Sequence, residues 1–436
     1  MVAVNRPKVT FSLWTLVALV VGNAVGAGIY TTSGFALADL GSREWVLLAW
    51  LVAGFIALAG AISYGMLVRG LTESGGEYLF LSRSIHPLAG FIAGWVSLLA
   101  GFPGAIAFSA LAFDAYMRSA VPSLQALPLN ALALIITLAA GLLHGVRVKA
   151  GNRGHEGFVS LMLGALCVVI VWSAIRFFTS ATLPVTTELS SGPFNVFVFA
   201  NTLVWVSLSY SGFNAAAYVA GEVEDARHIV PKGMILGTLL TMLLCVLINA
   251  IMIYGVEANA IRGRPDIATQ AALALGGEPA RRIVELMIAV SLLTSITAMT
   301  LAGPRVYAKM ADDGALPALF KQYAGLPPRA AIGLQVAIAL TLIMLSDLRG
   351  LMSYLGFTLS LCLAMAVSSL FVRHYRFGER PASMWYPVAP IVFVGCTLLF
   401  ACLSAINDSR QFIAAIPTVV IGVLAYFVSV KSRRMK

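Results

Sequence analysis

Residues 21–30 read Val21-Gly22-Asn23-Ala24-Val25-Gly26-Ala27-Gly28-Ile29-Tyr30, inside a stretch, 9–38, that carries no Asp, Glu, Lys or Arg. A helical glycine costs about 1 kcal/mol relative to alanine. Three of them in so short a run, in otherwise apolar surroundings, have two readings. Small residues four apart, Gly22 and Gly26, let helices pack closely. Alternatively the helix is interrupted here. The N–H groups of Gly26, Ala27 and Gly28 then open its second half and form an anion site, helped by the helix dipole. Non-helical backbone at membrane depth survives only where it lines a cavity, so this second reading predicts a hollow beside the segment.

Composition places that segment in a membrane. Of 436 residues, 59% are hydrophobic and only 11% charged, and the mean hydropathy is +0.89. An average soluble domain is about 25% charged. A soluble enzyme, a disordered chain and a nucleic-acid-binding domain are excluded, the net charge of +10 notwithstanding. Stretches of 17 residues or more without a charged side chain number twelve: 9–38, 45–68, 84–113, 119–146, 157–175, 189–221, 233–256, 286–304, 330–346, 350–372, 381–407 and 411–430. A bilayer span needs about 20 apolar residues, and a charge at the bilayer centre costs at least about 2.5–3.5 kcal/mol. Twelve spans follow, with both termini on one side. A cytoplasmic N-terminus puts 20 of the 29 Lys and Arg inside, so the basic excess is a topology signal and not the footprint of an acidic partner. The first span has no small-residue cleavage site behind it and reads as an uncleaved helix. The five cysteines form no CxxC or Cys/His set, so no disulfide framework or metal site is expected.

The sixth stretch is interrupted as well. It reads Trp205-Val206-Ser207-Leu208-Ser209-Tyr210-Ser211-Gly212-Phe213-Asn214. This is either a polar packing face or a broken helix whose freed backbone groups bond to Ser and Asn side chains. Spans 1 and 6 each open a block of five. Interrupted helices in corresponding positions of two halves point to a transporter site between inverted repeats.

Motifs along the chain resemble the amino acid–polyamine–organocation (APC) superfamily of transporters. Gly22 to Tyr30 is similar to the GxGxGI/F signature of its first helix, and Glu73-Ser74-Gly75-Gly76-Glu77-Tyr78 to its SGGxY loop. Tyr210 to Asn214, then Gly221-Glu222-Val223 and Ile229-Val230-Pro231, resemble helix 6 and the loop after it. Ala302-Gly303-Pro304-Arg305 and Ala311-Asp312-Asp313-Gly314-Ala315-Leu316-Pro317 resemble the end of helix 8. The resemblance implies an all-α integral membrane protein of LeuT-type fold: a 5+5 inverted repeat in twelve transmembrane helices, with helices 1 and 6 broken. One membrane domain then comprises an N-tail 1–10, a first repeat 11–180, a second repeat 190–376, and helices 11–12 with the C-tail in 381–436. It implies alternating access in a cell membrane and no enzyme activity.

By motif position, an amino acid α-carboxylate would meet Val25, Gly26, Ala27 and Gly28. The α-ammonium would meet carbonyls near Asn23 and Ser207, Leu208, Ser209 and Tyr210, beside Gly212, with Ala100, Gly101 and Ala298 around the side chain. Leu208 stands where many members carry a gating aromatic, with Trp205, Tyr210 and Phe213 nearby. The helix 5 lysine that replaces sodium in some members has no counterpart in 157–175.

The pocket so assembled holds no ionised side chain, which favours neutral amino acids. Tyr210 and Trp205 offer a cation–π face, so a cationic amino acid or polyamine antiporter is the alternative. A channel or receptor is a remote one, since no charged filter ring appears. Asp114 and Glu156 sit at helix ends, as interfacial groups or proton couplers. Glu77 and Arg83, with Glu222 and Arg305, form inner-gate ion pairs or merely solvated surface. Ser291, Thr294, Ser295 and Thr297 either ligate sodium or bond their own helix. H+ and Na+ both stand as coupling ions. The partners expected are an amino acid and the lipid bilayer, with no cofactor, metal or nucleic acid.

Overall fold

The computed structural model describes residues 11–73, 75–145, 194–321 and 328–434, with six single positions between 164 and 176. Every regular element among them is helical. The first charge-free stretch gives α1 (Leu13–Ala24) and α2 (Ala27–Leu40), which meet at 40°. Between them Val25 (ψ 81°) and Gly26 (ψ −158°) leave the helical region. There follow α3 (Arg43–Gly70), α4 (Gly76–Ser84), α5 (Pro87–Val96), a π turn at Ser97–Gly101, α6 (Phe102–Ala120) and α7 (Ala131–Gly145). The second half holds α8 (Val196–Ser209), a 3-10 segment Ser211–Glu222, α9 (Ala226–Tyr254), the short α10 (Ala258–Ile261) and α11 (Ile267–Asp312). It ends with α12 (Arg329–Leu345), α13 (Leu348–Phe377), α14 (Val388–Asn407) and α15 (Ser409–Arg434).

Eight of these helical stretches are long and apolar enough to cross a bilayer, nine with the bent α1–α2 pair, and α7 and α12 are shorter apolar helices. Together they occupy all the charge-free stretches except 157–175, which lies outside the described residues save for single positions. Side chains start several helices as their sequence suggests: Ser42 accepts from Trp45 N, Asn195 from Phe197 N and Asp347 from Gly350 N.

Packing follows the repeat. The second span α3 packs most extensively on the seventh, α9; the third, α6, on the eighth, α11; and the fourth, α7, touches the ninth, α12. The first and sixth spans interlock by halves: α1 lies on the 3-10 segment and α2 on α8. Each described span of the first five thus meets its counterpart five places later.

The sixth span differs from the expected break. It does not unwind. Tyr210 N bonds to Ser207 O and Phe213 N to Tyr210 O, so the α-helix tightens into a 3-10 helix, and Ser211 Oγ donates to Leu208 O. Short-range bonds of this kind satisfy the backbone without a gap. The 3-10 run is 12 residues long, where three or four is usual.

One end of the bundle is sealed. Gly263 N donates to Gly34 O, and Tyr116 donates to Tyr30 O at 2.7 Å. Just before α11, Asp266 accepts from Arg264, from Ser119 on α6 and from Gln270. Burial pushes the Asp266 carboxyl up, but these hydrogen bonds and the Arg264 charge outweigh it and hold the carboxyl below its usual range.

Candidate functional site

The two interrupted spans cross where glycines remove side chains. A Cβ on Gly28 would collide with the Ser209 hydroxyl and come within 3.0 Å of its Cβ and 3.3 Å of its Cα. A Cβ on Gly212 would stand 2.5 Å from Ala24 N and 2.7 Å from the Asn23 carbonyl carbon. The start of α2 therefore rests on the end of α8, and the 3-10 segment rests on the end of α1. Gly26 caps α2, and no side-chain hydrogen bond caps its first turn. A helix start leaves its first N–H groups without intrahelical partners, and a helix end does the same for its last carbonyls. Positive and negative backbone poles are brought together at this crossing.

A cavity of about 1160 Å³ opens beside it. Its deep end is lined by Asn23, Gly26, Ala27 and Gly28 from the first span and by Gly101, Phe108 and Ser109 from the third. Leu208, Ser209 and Gly212 come from the sixth span, and Ser295 from α11. Ser109 and Ser295 share a hydrogen bond of 3.2 Å, while Ser209 Oγ is buried with no hydrogen-bond partner among the described residues. Among the described residues, charged ones line only the other end: Glu73, Glu77, Glu222, Arg305, Lys309 and Asp312. Glu73, Arg305 and Asp312 are exposed there, so the cavity is a funnel with a polar mouth.

Several residues expected at the site lie elsewhere. Val25 and Ala100 are buried outside the lining, and half-buried Ala298 lies off the α11 face formed by Ser295, Met299 and Ala302. Ser207, Tyr210 and Phe213 border a separate small void behind the sixth span, where Tyr210 donates to Trp50 O. Trp205 points away and donates to Ser353 at 2.7 Å. The aromatic residues near the α8 end therefore belong to packing, because a helical turn carries them to the face opposite the cavity. Asp114 is buried, ion-paired to Arg118, and accepts from Leu132 N. Glu156 lies outside the described residues.

Of the inner-gate candidates, read as ion pairs or as solvated surface, Glu77 sits instead among uncharged hydrogen-bond donors. No ion pair joins Glu77, Arg83, Glu222 and Arg305 among the described residues. Buried Glu77 accepts on Oε1 from Tyr64 (2.7 Å) and Asn214 (2.7 Å), and on Oε2 from Tyr218. Tyr64 and Tyr218 escaped the sequence reading. Asn214 and Tyr218, four apart, would share a face only if the segment were read as an α-helix. Gly76 makes this geometry accessible: its φ is +54°, and a Cβ would stand 2.7 Å from Tyr218 Cδ1. The missing side chain at Gly76 lets the Tyr218 ring come close to the backbone.

Fold and cavity define a helical membrane protein with a hollow between a broken first span and a sixth span that tightens into a 3-10 helix. Residues 11–428 match the amino acid permease family model, and the chain belongs to that family, within the APC superfamily. It is a multi-pass membrane transporter of LeuT-type fold and not an enzyme. Similar proteins include the serine/threonine exchanger SteT of Bacillus subtilis (strain 168), 25% identical and aligned over 93% of both chains. The human large neutral amino acids transporter small subunit 2 is 23% identical over 88% of this chain and 74% of its own. The human cystine/glutamate transporter is 24% identical over 94% and 83%.

Proposed function

We propose that the protein carries neutral L-amino acids by alternating access, binding them where the first and sixth spans cross. The observation that carries this is the separation of charge along the funnel. Among the described residues, all the ionised side chains that line it sit at its mouth, and its deep end offers backbone poles, hydroxyls and apolar groups. A zwitterion fits such a place. Its carboxylate meets the N–H groups opening α2, and its ammonium meets the carbonyls closing α1. A second ionised group on the solute would find no opposite charge, and burying it unpaired is costly. The hydroxyls of Ser109, Ser209 and Ser295 suit a small side chain with a hydroxyl, in keeping with the name of the Bacillus relative.

The mouth residues belong to loops that the charge bias assigns to the cytoplasm. With both termini cytoplasmic, the state described here is open inward and closed outward. Purified protein in liposomes loaded with unlabelled amino acid should take up labelled neutral amino acids saturably. Decarboxylated amines should compete poorly, because they lack the group that α2 recognises. Uptake rising linearly with concentration would refute a carrier, and equal competition by the amines would favour the polyamine reading.

A further inference from the structure

Glu77 is unusual among the acidic groups of this chain. It is buried, it lines the cavity, and its partners are all neutral. A buried carboxylate without a cation is expensive unless hydrogen bonds or a proton compensate. Three donors converge on it from two elements: Tyr64 on α3, and Asn214 and Tyr218 on the 3-10 segment. From α13, Cys362 is the titratable neighbour. Elsewhere on the mouth stand Glu73, Glu222, Arg305, Lys309 and Asp312, none of them ion-paired to Glu77.

We propose that Glu77 is the proton-binding site through which this carrier couples solute movement to a proton gradient; this rests on the transport reading above. The donor set selects the ion. A sodium ion needs several oxygen atoms directed at it, whereas here O–H and N–H groups already occupy the carboxylate. A proton needs only one reversal. Added to Oε2 from the water of the mouth, it makes Glu77 a donor to Tyr218 Oη, and the Tyr218 hydroxyl hydrogen turns away.

The reversal has a mechanical consequence. Glu77 ties the 3-10 half of the sixth span to α3 and α4. Long 3-10 runs are strained and commonly mark hinges. Protonation replaces charge-assisted bonds by neutral ones of about half the strength, so the proton loosens the tie between frame and hinge. The charge on Glu77 thereby biases how readily the mouth closes.

The test uses liposomes containing the full-length protein and labelled L-serine. Wild-type protein should exchange serine and should accumulate it when an inward proton gradient is imposed. Glu77→Gln has the shape of the protonated form. It should still exchange serine, with a rate that no longer depends on pH, and should lose gradient-driven accumulation entirely. Gradient-driven accumulation equal to wild type in Glu77→Gln overturns the proposal. So does an exchanging wild type that ignores the gradient. A wild type that exchanges none of the twenty amino acids instead defeats the transport reading itself. If Glu77→Gln does not fold, Tyr218→Phe serves. It removes the partner that Glu77 uses in both protonation states, so gradient-driven accumulation should fall relative to exchange, and an unchanged ratio of the two overturns the proposal.

Discussion

Replacing Gly28 by alanine tests the crossing of the two spans most directly. The new Cβ lands on Ser209, 3.0 Å from its Cβ and 3.3 Å from its Cα. The hydroxyl can rotate away, but the backbone of α8 cannot, so the start of α2 must lift by a few tenths of an ångström. Overpacking of this kind costs about 1–3 kcal/mol of stability. The lift also misplaces the N–H groups that we assign to the solute carboxylate. Losing one hydrogen bond to a charged group costs about 1.5–3 kcal/mol, which at about 1.4 kcal/mol per decade weakens binding by about ten- to hundredfold. Gly26 provides the control. It lies one residue before α2, and a Cβ there meets only Ser295 Oγ, at 3.8 Å. Gly26→Ala should therefore bind within about threefold of wild type, on the scale of the small cost of an uncrowded substitution. The double variant Gly28→Ala with Ser209→Gly should recover part of the loss, since coupled sites depart from additivity. Affinity comes from thermal-shift titration with L-serine or the best-binding amino acid. Equal affinities for Gly28→Ala and Gly26→Ala would refute the reasoning, as would a double variant no better than the single.

Three further outcomes follow from the geometry. Gly76→Ala places a Cβ against the Tyr218 ring at a φ of +54°; it should lower thermal stability by about 1–3 kcal/mol, read as a reduced Tm, and an unchanged Tm would show that the loop relaxes freely. Asp266 is held below its ordinary value of 3.8 in the folded protein, so its contribution is present above that value and is lost as pH falls through the lower folded one. Asp266→Asn should therefore lower Tm at neutral pH and flatten its acid dependence, and identical acid melting curves for variant and wild type would count against the Arg264–Asp266–Ser119 cluster. Cys362 lines the funnel; with the other cysteines replaced, a membrane-impermeant maleimide should modify it from the cytoplasmic side only, and labelling from the outside alone would reverse the topology.

Much of the fold was legible because bilayer physics is written one residue at a time. A charge inside hydrocarbon is expensive wherever the chain goes, so the gaps between charges mark the spans. Three glycines in residues 22–28 mark the segment as special, either a close-packing face or an interruption. The matching polar run at 207–214 marked the second special segment, though not its form: whether a weakened helix unwinds or tightens depends on which carbonyls lie within reach of Tyr210 and Phe213. Which residues face the cavity was decided only by tertiary structure. Ala298 and Ser295 are equally small and lie within one turn, yet only Ser295 reaches the hollow, because the rotation of α11 is set by packing against α6. The same holds for Glu77. Its sequence neighbourhood supplies arginines and suggests an ion pair, but the fold carries Tyr64, Asn214 and Tyr218 to it from 13 and about 140 residues away. Solvation cost is a property of each residue and can be read locally, whereas a partner at such separation exists only once the helices have met.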